Sequence, residues 1–128
     1  MTPSDFIEAV KIGVHDASIR GIEAQLRKPS GRAPAPHAVE VSKWFLRLTE
    51  DDRECLRKVV ALSVHSAVFG MLTVLDGVRS IEERAEKGQL TLSFSDDTGT
   101  VRLNDPNEEY LHDIYQAKVN DDVFGKKG

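Results

Sequence analysis

The stretch Val59–Val78, VVALSVHSAVFGMLTVLDGV, decides how this chain folds, because twenty residues hold one histidine, one aspartate and no other ionisable group. A helix of this composition is apolar all round, and each Å² left in water costs about 25 cal/mol. The expectation is a central buried helix wrapped by the remaining elements, with Val60, Val64, Met71 and Val74 covered. Its uncharged part, Val59–Leu75, sits at the short limit for a membrane span of about 20 residues. Ser63, His65, Ser66 and Gly70 weaken it further for that role. A core helix is therefore expected, with no membrane partner.

Upstream, Thr49-Glu50-Asp51-Asp52 is a helix start, Thr49 capping and Asp52 answering three residues on. Helix-compatible residues then run to Lys87. Unbroken, that rod would be about 57 Å long, too long for a compact domain with a radius of gyration near 14 Å. The spacing predicts a break near Gly77, with Gly70 as the second candidate. Ser80 and Glu83 would then cap a last short helix ending at Lys87-Gly88.

Further out, Thr2-Pro3-Ser4-Asp5 reads as a capping box opening a helix that runs to about Lys28. Its apolar residues form two stripes, Phe6, Ile7, Val10, Val14 and Ala17, then Ile19, Ile22 and Leu26. The second is rotated about the axis, which predicts either contact with more than one neighbour or a bend near Gly13 or Gly21. RKPSGRAPAP, residues 27–36, reads as a solvated loop. Ala38, Val41, Trp44, Phe45 and Leu48 have helical spacing, with Trp44 expected to anchor that helix to the core.

After Gly88 the period changes to two. Pairing Phe94 with Val101 and Leu92 with Leu103 across Asp96–Gly99 puts every apolar side chain on one face, and slipping by one residue opposes Phe94 to Arg102. A lone hairpin is marginal, so this face is expected to cover the helices. Asp105-Pro106-Asn107-Glu108 then reads as the cap of a helix to about Val119, presenting Leu111, Ile114 and Tyr115 inward. The fold class expected is α+β, predominantly helical, with four or five helices around the central one and a single hairpin near the C-terminus. Residues 1–119 form one compact domain, and 120–128 a flexible tail.

The net charge of −4 argues against capture of nucleic acid by the whole surface. The densest positive cluster, Arg27, Lys28 and Arg32, lies in the loop and makes nucleic acid the third-ranked partner. Residues 1–64 carry a formal +1 and residues 65–128 a formal −5. The acidic C-terminal half is thus a candidate surface for a protein partner. The lone Cys55 permits no internal disulfide and fits a reducing cytoplasm. MTPSDFIEAV lacks the basic start and apolar run of a secretion signal.

His65 and Asp76, eleven residues apart, fall within about 20° on one side of a helix, and Arg79 and Glu83 lie close to that line. One reading makes this a polar pocket, with Asp76 as base or ligand paired to Arg79 and His112 as a further member. The other makes Asp76 a helix-end cap near Gly77 and His65 a satisfied core histidine. His112-Asp113 and His15-Asp16 diverge by about 100° on a helix, so neither pair is a dyad by itself. No HxxxH, HExxH, CxxC, GxSxG or Walker-type pattern occurs. Residues 82–86 spell the EExxE of helical nucleotide pyrophosphohydrolases, but the second acidic helix motif is missing, since a hairpin follows. No metal or cofactor is therefore expected, and no catalytic residue is assigned. Ser63, Ser66, Ala67 and Gly70 allow another helix close approach, which keeps a homodimer open.

The phrase FGMLTVLDGVRSIE at 69–82, the hairpin, and LNDPNEEYLHD at 103–113 resemble a set of small bacterial proteins of unknown function, over residues 36–118. The resemblance implies a bacterial cytoplasmic source and supplies no catalytic residues. The function expected is a non-catalytic interaction protein, of immunity or regulatory type. The alternative is a small enzyme or ligand-binding domain with its pocket at His65, Asp76, Arg79 and His112.

Overall fold

The first 27 residues form one rod in a computed structural model of the chain, which describes residues 1–84 and 88–127. Thr2 Oγ1 accepts from the Asp5 amide and the Asp5 carboxylate accepts from the Thr2 amide, both at 3.0 Å, closing the expected capping box. Helix α1 (Pro3–Val10) passes through a π-helical turn, Lys11–Asp16, into α2 (Ala17–Arg27). Lys11 Nζ donates to Asp16 Oδ2 at 2.9 Å across the i, i+5 spacing of that turn. A π turn inserts extra residue spacing and rotates the inward face. The two stripes are thereby explained: the rod meets the helix Leu111–Phe124 through α1 and the helices Pro36–Leu46 and Glu50–Leu75 through α2, and the π turn spans the Gly13 position. It also changes which residue is inside: His15 is buried where Val14 was expected, and Val14 is exposed.

Helix α3 (Pro36–Leu46) lies on α2, with the buried Ser42 hydroxyl donating to the Leu26 carbonyl at 2.7 Å. Its anchor is Phe45, which is buried beneath the guanidinium groups of Arg27 and Arg53. Trp44, the expected anchor, is 42% exposed. Phe45 is the one that meets Ile19, Leu26, Leu56 and Val60 around a small apolar crevice.

Helix α4 (Glu50–Leu75) begins at Thr49, whose hydroxyl accepts from the Asp52 amide at 3.2 Å. Arg57 ties it to α2 through Glu23 at 2.9 Å. The rod breaks at the expected place. Gly77 has φ +76°, the Val78 amide bonds the Thr73 carbonyl, and the Gly77 amide bonds the Val74 carbonyl. This is a Schellman stop, and it requires a left-handed residue that glycine supplies without a Cβ clash. The short helix expected beyond it does not form over 78–84, where Ser80 turns back on Glu82 instead. Its Lys87 end, like Glu86 of the EExxE stretch, lies outside the described residues.

Strands β1 (Ser93–Asp96) and β2 (Gly99–Arg102) pair antiparallel with Phe94 opposite Val101. The Leu103 amide reaches the Leu92 carbonyl at 2.8 Å, which extends the expected register. Asp96 and Gly99 are themselves paired, so the loop is two residues tighter than expected. Asp105–Glu108 makes a single turn rather than a helix start. The last helix, α5, spans Leu111–Phe124. It continues past Val119, with Val123 in the core, so residues 120–124 are helix rather than tail.

The core lies between α1, the C-terminal half of α4 and α5: Ile7, Leu72, Leu111, Ile114, Tyr115, Val119 and Val123, with Phe69 and Leu92 against it. The protein is thus a predominantly helical α+β domain with one hairpin near its C-terminus. Helix α4 is central, but it is covered on one side only. Val64 is buried and Val60 and Val74 are half-buried, whereas Val59 (51%), Leu62 (43%) and Met71 (61%) face solvent. Met71 corrects the expectation of a rod covered all round. An apolar run without periodicity does not specify how many of its sides the same chain covers.

Candidate functional site

Asp76 ends α4, and its side chain, 1% exposed, starts α5. Oδ1 accepts from the Leu111 amide at 3.1 Å, and Oδ2 accepts from the His112 amide at 2.9 Å. Oδ2 also accepts from His112 Nδ1 at 2.6 Å. A carboxylate at a helix N-terminus satisfies orphan amides and complements the helix dipole. Tyr110, at the capping position of α5, makes no side-chain cap bond, so Asp76 takes that place from 35 residues away.

From His112 a row of rings runs along the α4–α5 seam. Phe69 meets His112 edge-on with centroids 5.4 Å apart, and His65 stacks on Phe69 at 5.4 Å and on Tyr115 at 5.6 Å. His65 Nε2 donates to Gln116 Oε1 at 2.7 Å. The row ends on the π turn, where the Tyr115 hydroxyl and His15 Nδ1 share a hydrogen bond of 2.6 Å. Burial pushes the Tyr115 hydroxyl up to about 12 and holds His15 below its usual value near 6.5. Asp16 and Asp122 favour the His15 cation, Lys11 and His65 oppose it, and desolvation outweighs all of them.

His15 gives a pH prediction with a definite sign. The unfolded chain takes up the His15 proton before the folded one does, so stability is greatest above about pH 6.5 and falls as the pH drops below it. Glu23, held low mainly by Arg57, and Asp5, held low by Thr2, lose their contributions only at more acid pH. Thermal unfolding between about pH 8 and 5 is expected to show Tm falling below about pH 6.5. His15→Gln should flatten that slope, and an equal slope in the variant would refute the assignment.

Of the four residues expected to form one pocket, the structure joins Asp76 and His112. His65 lies on the same side of α4 as Asp76, as its spacing required, but Phe69 stands between it and His112. Arg79 is not the partner of Asp76. Its guanidinium folds back over Gly70, where an added Cβ would lie 3.0 Å from Nη1. An open cleft of about 710 Å³ is lined by Asp76, Arg79, Arg102, Asn104 and Tyr110 among others, and its walls do not include His65. The imidazoles are committed within the protein. His112 donates Nδ1–H to Asp76 and has Nε2 3.5 Å from Asp113, so both nitrogens sit beside carboxylates. The arrangement ties α4, α5 and the π turn together.

Sequence spacing missed Gln116 and the tertiary bond of His15, since neither belongs to a local pattern. Asn104 was also missed, although it is buried and joins three segments. Among the described residues no cluster of three His, Cys, Asp or Glu side chains is placed to hold a metal ion. Comparison with protein-family models, with curated proteins and with solved structures finds no match.

Proposed function

We propose that this chain is a non-catalytic interaction protein of the bacterial cytoplasm, a regulatory or immunity-type partner whose working surface is the outer face of α4. The observation that carries this is the character of that face. Along that side Val59, Leu62, Ser63, Ser66 and Ala67 face solvent, none of them charged. A helix facing only water is usually polar on its outer side, and a contiguous apolar patch marks a contact surface.

Helix α4 is also long and apolar enough to cross a membrane by length and composition. The ion pairs of its Arg57 with α2 and the packing of its C-terminal half on α5 favour a protein contact. The acidic C-terminal half offers charge, but no apolar face of comparable extent supports it as the main surface.

In extracts of its own host the chain is expected to migrate well above 14.2 kDa on size exclusion. Leu62→Glu, on the exposed face, should shift it to the monomer position while changing Tm by no more than about 2 °C. Wild-type chain already at the monomer position would overturn the proposal.

A further inference from the structure

We propose that the occupant of the α4 face is a second copy of this chain, packed antiparallel about a two-fold axis that passes between Val59 and Ser63. The proposal rests on that face being an interaction surface and names what covers it. The face has a sign at each end and none in between. Asp52 lies at one end, exposed and outside every ion pair among the described residues. At the other end the Arg79 guanidinium rests over Gly70, likewise with no carboxylate partner among the described residues. Residues 52 and 70 are eighteen apart, five whole turns, so the acid and the base stand on one line about 27 Å apart. Cys55, Val59, Ser63 and Ser66 lie along or beside that line.

A surface with acid at one end, base at the other and a neutral middle is its own complement when one copy is reversed. Antiparallel packing brings Asp52 of each copy to Arg79 of the other and satisfies both pairs through one symmetry operation. It also opposes the two helix dipoles. Parallel packing would set Asp52 on Asp52 and Arg79 on Arg79. At the centre, Ser63 and Ser66 shorten the approach of the axes, and Val59 and Leu62 fill the space beside them. The bare backbone of Gly70 provides the seat for Arg79, and an alanine there would push the guanidinium off the face. The geometry further places Cys55 of one copy beside Ser66 of the other, whereas the two Cys55 side chains lie on opposite sides of the two-fold.

The test is sedimentation equilibrium of the purified full chain up to about 100 μM, with Arg79→Glu, Asp52→Arg and the double variant. Wild type is expected as a dimer. Each single reversal should weaken association about tenfold or more, and the double reversal should restore it to within about threefold. Both residues are exposed, so folding is not at stake. Oxidised Ser66→Cys should give a covalent dimer joined from Cys55 to position 66, while wild type should not cross-link through Cys55 alone.

A purified chain that stays monomeric overturns the second copy. If the large complex in host extracts persists, the interaction reading survives with a different protein as occupant; if both are monomeric, that reading falls too. A monomer that pellets with phosphatidylglycerol vesicles assigns the face to lipid and overturns the proposal. A dimer indifferent to both charge reversals, or cross-linked Cys55 to Cys55, overturns the antiparallel arrangement.

Discussion

Asp76→Ala is expected to destabilise the fold by about 3–5 kcal/mol, lowering Tm by roughly 10–20 °C. The carboxylate is 1% exposed and accepts from two main-chain amides and one imidazole. Alanine leaves all three donors without an acceptor, and each orphaned buried group costs about 1–3 kcal/mol. The loss falls on a joint rather than on one element, because the same side chain ends α4 and starts α5. Asp76→Asn separates the causes. One oxygen remains to accept, but the amide –NH2 is turned on a donor, so it should recover less than half of the loss. Arg79→Ala, three residues on and exposed, should cost under about 1 kcal/mol in the monomer. Chemical denaturation followed by far-UV circular dichroism measures all three. An Asp76→Ala loss below about 1 kcal/mol would show that water takes over the capping without penalty and that the joint is ornamental.

This joint shows where the sequence was readable and where it was not. Local signals read true: Thr2 and Asp5 cap each other, Gly77 stops α4, and the side-chain alternation sets Phe94 against Val101. Each is decided within a few residues. Asp105-Pro106-Asn107-Glu108 carried an equally good local signal and still made only one turn. Residues 106–109 offer no apolar side chain except proline to bury, and helix propagation draws most of its stability from packing. The helix begins instead at Leu111, the first residue that enters the core, and its capping anion comes from Asp76. In the candidate site, the common side of His65 and Asp76 followed from helical geometry alone, whereas Gln116, Phe69 and His112 had to be brought there by the fold. The same limit applies to burial. Trp44 and Phe45 both suit a helix facing a core, and only the rotation of α3 about its axis decides between them. The apolar run of α4 indicated that something covers it. Composition does not say whether the same chain supplies that cover, and Val59, Leu62 and Met71 are left exposed.

Asn104→Ala is the second substitution expected to cost several kcal/mol, and its effect should differ in place. Asn104 Nδ2 donates to the Leu75 carbonyl at the end of α4 and to the Leu90 carbonyl, at 2.6 and 2.9 Å. Its Oδ1 accepts from the Leu92 amide at 2.8 Å. One buried amide thereby holds the end of α4, the approach to β1 and the exit of β2. Arg102 Nε also donates to Oδ1 at 3.3 Å, so removing Asn104 strands two donors and two acceptors, a loss of about 3 kcal/mol. Asn104→Leu restores volume but not hydrogen bonds, so it should be no better; Asn104→Asp lacks the donor for both carbonyls and should be worse near neutral pH. The hairpin makes few other contacts with the helices beyond Leu92 and the buried Leu103. Loss of Asn104 should therefore release residues 90–103 as a local unit before the α1–α4–α5 core opens. Hydrogen exchange distinguishes this from Asp76→Ala. In Asn104→Ala the amides of Leu92, Val101 and Leu103 should exchange at least about tenfold faster while those of Leu72 and Tyr115 change far less. In Asp76→Ala both sets should accelerate together, because the joint it breaks belongs to the core. Equal acceleration of both sets in Asn104→Ala would mean that the hairpin and the helices unfold as one unit and that Asn104 holds the whole domain.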